Sequence, residues 1–226
     1  KLQNRVEDCN LVLYIVDTKV PERARLDIFE RVNGGVPLTR QQMRNCLYMG
    51  NATRFLRKEA TAALFKQATG GSLRDDTMRD REFVNRFCAF QLLDVGTYSN
   101  KGEMDEFLAR SLKQMNLMPE DQLQALAAEF SNALRNNLAL FGEHAFRKHE
   151  PGQERRGIVN ASLWDVMTTG LSRIPESRVL ARAEAFKDRF YKLMHDEPFS
   201  QSITIGPNSA NQVRHRFEVM THTLQE

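Results

Sequence analysis

The residues best suited to chemistry lie in one stretch, Asp27-Ile28-Phe29-Glu30-Arg31-Val32-Asn33-Gly34-Gly35-Val36-Pro37-Leu38-Thr39-Arg40-Gln41-Gln42-Met43-Arg44-Asn45. Helical spacing brings Ile28, Phe29 and Val32 onto one face, and Asn33-Gly34-Gly35 can take the positive φ values that end such a helix. Thr39 restarts it. The threonine hydroxyl can accept from the backbone N–H three residues on, Gln42 can reach back to the Thr39 N–H, and Leu38 can staple against Met43. Uncapped N–H groups at a helix start, exposed glycine backbone, and Arg40 and Arg44 one turn apart make a candidate anion cradle. The same string also reads as a well-capped helix-turn-helix corner that holds no ligand.

Other constellations are thin. His144 and His149 stand five apart without a cysteine pair, so no metal site is expected, and His215 and His222 read as surface or core-edge histidines. Asp75, Asp76, Asp80 and Glu82 suit the acidic start of a helix better than a cation site. No GxSxG elbow, Walker A loop, HExxH or kinase string occurs, and no catalytic residue is assigned. Basic residues gather at Arg54, Arg57 and Lys58, at Arg178, Arg182 and Arg189, and at Arg147, Lys148, Arg155 and Arg156 around Pro151-Gly152. Such clusters are either solvated faces paired with acids such as Glu154 and Glu184, or a surface for a nucleic-acid backbone.

The elements that must position these groups are mostly helices. Leu11-Val12-Leu13-Tyr14-Ile15-Val16 is a continuous apolar, β-rich run closed by Asp17, which predicts a strand buried on both faces. One strand cannot satisfy its own edge hydrogen bonds, so its partners are expected outside this sequence. From Pro21 onward the spacing predicts helices to about Val32, then over about 39–48, 51–67, 79–93, 101–116, from Pro119 to a stop at Gly142, and over 160–173 and 176–195, with a last helix from Ser209. Leu123, Leu126, Ala127, Phe130, Leu134, Leu138 and Phe141 form the clearest stripe, and Val213, Phe217, Met220 and Leu224 the last one. Trp164 and most phenylalanines fall at core spacing. Gly70-Gly71-Ser72 and the stretch from Glu150 to Gly157 are the best turn and loop signals.

Composition sets the outer limits. With 226 residues, 41% hydrophobic and 27% charged, the chain can bury one sizeable core, or a core plus a small subdomain. No run approaches the roughly 18 apolar residues of a membrane span, and the polar start is unlike a signal peptide, so a cytoplasmic protein without a membrane partner is expected. Cys9, Cys46 and Cys88 are too few and too scattered for a disulfide framework or structural zinc and read as free, mostly buried thiols. A net charge of +3 and a pI near 8.8 are too mild to argue for nucleic acid unaided.

The pattern from Phe29 through the two glycines, Pro37-Leu38 and Arg44-Asn45 resembles the signature of the GmrS-like family, the NTPase and specificity part of restriction systems whose N-terminal domain has a ParB/sulfiredoxin-like fold. Met78-Arg79-Asp80-Arg81-Glu82-Phe83-Val84-Asn85-Arg86-Phe87, Phe141-Gly142-Glu143-His144-Ala145-Phe146-Arg147, Phe199 and Arg216-Phe217 are similar to the helical tail of that family. Departures stand beside the likeness: the Asp-Gly-Gln-Gln-Arg motif is absent, the turn is one residue short, Gln42 replaces an acid, and no His-Asn-His nuclease segment follows.

The resemblance implies a mainly α fold, a multi-helix domain with one N-terminal β-strand left from a truncated ParB-like α+β region. It divides into the remainder of a nucleotide-binding domain over 1–50 and a helical domain over 51–226. It implies nucleotide contacts from Asn33, Gly34, Gly35 and Arg44, and DNA contacts from Arg147, Lys148, Arg155 and Arg156. An NTP with a divalent cation is implied for the intact protein and none for this piece alone, with DNA, the absent N-terminal region or a nuclease as partners and room for a homo-oligomer. The alternative is a non-enzymatic helical scaffold that binds protein or nucleic acid and uses the glycine turn only as a corner.

Overall fold

The computed structural model describes residues 9, 12–13, 15–17, 19–32, 35, 37–99 and 103–225, and divides the chain into two compact units, 1–38 and 39–226. Twelve α-helices occur among the described residues: α1 Glu22–Val32, α2 Arg40–Leu47, α3 Asn51–Thr61, α4 Ala63–Thr69, α5 Arg79–Leu92, α6 Glu103–Leu117, α7 Glu120–Phe141, α8 Ala161–Leu171, α9 Glu176–Ala181, α10 Ala183–His195, α11 Glu197–Ser202 and α12 Ala210–Gln225. The protein is mainly helical, and no strand is found among those residues.

In the first unit Asp17 closes a turn, its carboxylate accepting from the Lys19 N–H at 2.8 Å, and Pro21 accepts from Arg25 to open α1. The expected strand does not form where it is described. Val12, Leu13, Ile15 and Val16 have no regular secondary structure and are exposed, Ile15 to 91%, while Leu11 and Tyr14 lie outside the described residues. Among the described residues no strand is present to take the backbone groups of this apolar β-rich run. Ile28 and Val32 on α1 are exposed as well.

The second unit begins at Thr39, where α2 is tied down locally. Thr39 and Gln42 form the expected capping box, with Thr39 N–H donating to Gln42 Oε1 at 2.7 Å and Gln42 N–H to Thr39 Oγ1 at 3.2 Å. The same two side chains continue outward. Thr39 Oγ1 donates to the Thr77 carbonyl at 2.8 Å and Gln42 Nε2 to the Asp76 carbonyl at 2.9 Å, fastening the start of α2 to the loop ahead of α5.

Trp164 on α8 is the centre of the core. Phe65, Phe83, Phe130 and Phe146 surround it with ring centroids 4.5 to 6.1 Å from its own, and its indole N–H donates to the Phe83 carbonyl at 2.8 Å. α7 packs against α4, α8, α9 and α10, and it stops at Gly142, whose φ of 51° suits glycine. Asn132, Asn136 and Asn137 on α7 donate to carbonyls of Met167, Leu171, Ser172 and Ile174, satisfying the C-terminal groups that α8 leaves open. A smaller cluster of Phe90, Tyr98, Met104, Phe107, Ala210 and Val213 joins α5, α6 and α12.

Two expected helices are each broken once. Residues 51–67 split at Ala62, whose ψ of 142° is extended, and 176–195 splits at Arg182. Neither break carries a glycine or proline, so local propensity gives no warning. At the first, Thr61 Oγ1 turns back onto the Arg57 and Lys58 carbonyls, and the buried stripe of Phe55, Leu56, Glu59 and Ala60 resumes at Phe65 out of phase with one continuous helix. Cys88 is buried, but Cys46 and Cys9 are exposed, so one thiol of three is in the core.

Candidate functional site

A polar cavity of about 740 Å³ opens in the second unit where four helices begin. Thr39 and Arg40 line it from the start of α2, Thr77 and Arg79 from the start of α5, Met104 and Asp105 from the first turn of α6, and Asn208 and Ser209 from just ahead of α12. Helix N-termini carry partial positive charge, so their convergence raises the potential for an anion, although the first-turn N–H groups of α5 are already taken by Arg74, Asp80 and Met78. Glu82, Arg86 and Ser99 complete the lining, in which Met104 is the one apolar side chain.

Arg86 is the deepest cation. Its side chain is 3% exposed, and Asp165 holds it from α8 with Nε to Oδ1 at 2.8 Å and Nη2 to Oδ2 at 2.6 Å. Arg216 from α12, fully buried, donates to the same Oδ2 at 3.1 Å and to the Pro207 carbonyl. Burial pulls the Arg86 guanidinium down, but the Asp165 carboxylate more than offsets this and leaves it above its ordinary value. Burial holds Arg216 below the usual range. Two guanidiniums and one carboxylate leave an excess positive charge in the interior.

Arg79 reaches the cavity with its guanidinium over the Phe83 ring, 5.4 Å from the centroid. Asp105 takes both Arg44, through Nη1, and Arg40, through Nε at 3.5 Å. Three arginines and two carboxylates therefore face the space, a net cationic lining before the helix ends are counted.

The residues singled out by sequence fall unevenly. Arg44 is buried, with Nε and Nη2 on Gln41 Oε1 at 3.1 and 2.9 Å and Nη1 on Asp105; burial pulls its guanidinium down. It is a packing cation and not a side chain free to meet a ligand. Arg40, one turn away, does line the cavity. Gly35 is exposed, has no left-handed φ, and a Cβ there would meet nothing within 4 Å, so neither backbone handedness nor close packing demands glycine at that position. Asn33 and Gly34 lie outside the described residues.

Of the basic quartet, Arg147 is fully buried. Its guanidinium donates to the carbonyls of Gly157 at 3.0 Å, Ala145 at 2.7 Å and Thr69 at 2.6 Å, so it cannot meet a DNA phosphate in this structure. Lys148, Arg155 and Arg156 are exposed, with Lys148 on Ser200 Oγ at 2.9 Å and Arg156 close to the Gly70 carbonyl at 3.5 Å. His144 and His149 stack at 4.9 Å, but no group of three metal-ligating side chains occurs among the described residues.

Sequence reasoning gave Arg86, Asp165, Arg216, Arg79 and Asp105 no role. The usable signal was phase: Arg86, Asp165 and Arg216 each sit among buried positions, beside Phe87, Trp164 and Val213, where a charge needs a partner. Comparison with protein-family models, curated proteins and solved structures found no match to the chain. No helix among the described residues is long and apolar enough to cross a membrane.

Proposed function

We propose that this chain is the helical portion of a GmrS-like defence protein and that its cavity receives the phosphate end of a nucleotide. The observation that carries the reading is the convergence of four helix starts and the Arg40, Arg79 and Arg86 guanidiniums on one polar space of about 740 Å³, within the roughly 300–1,000 Å³ of small-molecule sites. Glu82, and Asp105 where it can be released from Arg40 and Arg44, supply the lining's carboxylates for a divalent cation accompanying the phosphates. The exposed apolar run of Val12, Leu13, Ile15 and Val16 fits a strand that pairs with a ParB-like sheet supplied by further sequence. Lys148, Arg155 and Arg156 remain as candidate DNA contacts, without Arg147.

Titration of ATP and GTP with magnesium into the wild-type chain and an Arg79→Ala variant tests the reading. Arg79 is exposed and holds no carboxylate among the described residues, so its removal should leave the fold intact. Affinity at least 10-fold lower in the variant is expected. Equal binding, or none to the wild type, favours the scaffold alternative, in which the capped corner at Thr39 is structural only.

A further inference from the structure

We infer that the cavity selects a ligand ending in a terminal phosphate group, and that the unshared Nη1 amino group of Arg86 contacts it. This rests on the anion-site reading just given and deepens it to a ligand class and a binding residue. The Arg86 side chain is 3% exposed, and Asp165 occupies its Nε and Nη2. Arg86 Nη1 makes no hydrogen bond among the described residues, and Arg86 is part of the cavity lining. The carboxylate fork therefore fixes the guanidinium plane and leaves one NH₂ group for whatever enters.

Charge argues in the same direction. Arg86, Asp165 and Arg216 together carry one uncompensated positive charge away from water, and Arg216 Nε is itself buried without a partner. A buried excess charge is costly unless an anion meets it. Glu82 also lines the space and offsets part of that charge. A terminal phosphate has three unesterified oxygens and about −1.5 to −2 charges, and it can enter the cavity end first. A phosphodiester has one charge and chain on both sides, so it cannot present itself to a single recessed donor as well.

Calorimetric titration of sodium phosphate, ATP and cyclic AMP into the wild-type chain and an Arg86→Lys variant tests this. Phosphate and ATP should bind the wild type, cyclic AMP at least 10-fold more weakly than ATP, and the lysine variant should lose at least 10-fold in ATP affinity. Undiminished ATP binding by the variant overturns the Arg86 assignment and leaves the nucleotide reading standing. Cyclic AMP binding as tightly as ATP overturns the preference for a terminal phosphate over a phosphodiester. Failure of all three to bind the wild type removes both. If circular dichroism shows the variant unfolded, guanidinium NMR of wild-type Arg86 decides: a resonance shift on adding ATP is expected, and an unmoved resonance overturns the proposal.

Discussion

Arg86 and Asp165 meet through two parallel hydrogen bonds of 2.8 and 2.6 Å although 79 positions separate them in sequence. The pair fastens α5 to α8 beside Trp164, and Arg216 adds α12 to the same carboxylate, so three helices converge on one buried charge. The floor of the cavity is therefore set by the same residues that lock the core together.

Asp165→Asn keeps the shape of that side chain and removes the only carboxylate of the cluster. Two buried guanidiniums would then face each other unneutralised. The expected cost is about 3–5 kcal/mol in urea unfolding. Replacing all three residues by apolar side chains of similar volume should cost less than the single change, because no charge is left stranded. A loss under about 1 kcal/mol for Asp165→Asn would show that the charges are solvated after all.

Arg147→Ala should destabilise by about 3 kcal/mol, since it strands the carbonyls of Thr69, Ala145 and Gly157. Arg155→Ala and Arg156→Ala should each stay within about 0.5 kcal/mol of the wild type. If DNA binds this surface, the double Arg155/Arg156 variant should lower the salt dependence of binding by about 0.9 in log–log slope per lost phosphate contact. An unchanged slope removes the surface from consideration.

His149 makes the fold sensitive to acid. Burial draws its imidazole below the usual range, against an opposing pull from the Arg147 carbonyl that its Nδ1 meets at 2.9 Å, while Nε2 lies 3.3 Å from the Tyr191 hydroxyl. A depressed folded value means the unfolded chain takes the proton first. Stability is therefore complete above about pH 6.5 and is lost as pH falls through the folded value. Melting temperatures at pH 7.5 and 5.5 should differ more for the wild type than for His149→Phe.

Much of the helical pattern is legible in sequence because burial imposes a period. The stripe on α7 and the stop at Gly142 follow from it, as does the capping box of Thr39 and Gln42. What escapes is whatever depends on distant partners. Ala62 and Arg182 break helices with ordinary helix-forming neighbours, Arg147 looks like any surface base until its three carbonyls surround it, and the Arg86 cavity gathers residues from 39 to 209. Spacing within one helix cannot show which helix starts converge, and an arginine reads alike whether it faces water or a buried carboxylate.

Glu59 gives the opposite pH signature to His149. It lies on the buried face of α3 at 7% exposure, and burial raises its carboxyl above the ordinary value, with Lys58 pulling the other way. The folded chain then holds this proton more tightly than the unfolded one, so the contribution is present in acid and disappears as pH rises through the folded value. At pH 7 the ionised carboxylate is a liability. Glu59→Gln should raise the melting temperature there by about 2–4 °C, on the order of 1 kcal/mol for a chain of this size, and the gain should vanish near pH 4 where both side chains are neutral. A variant no more stable at pH 7 than at pH 4, relative to the wild type, would mean that water or Lys58 already compensates the charge.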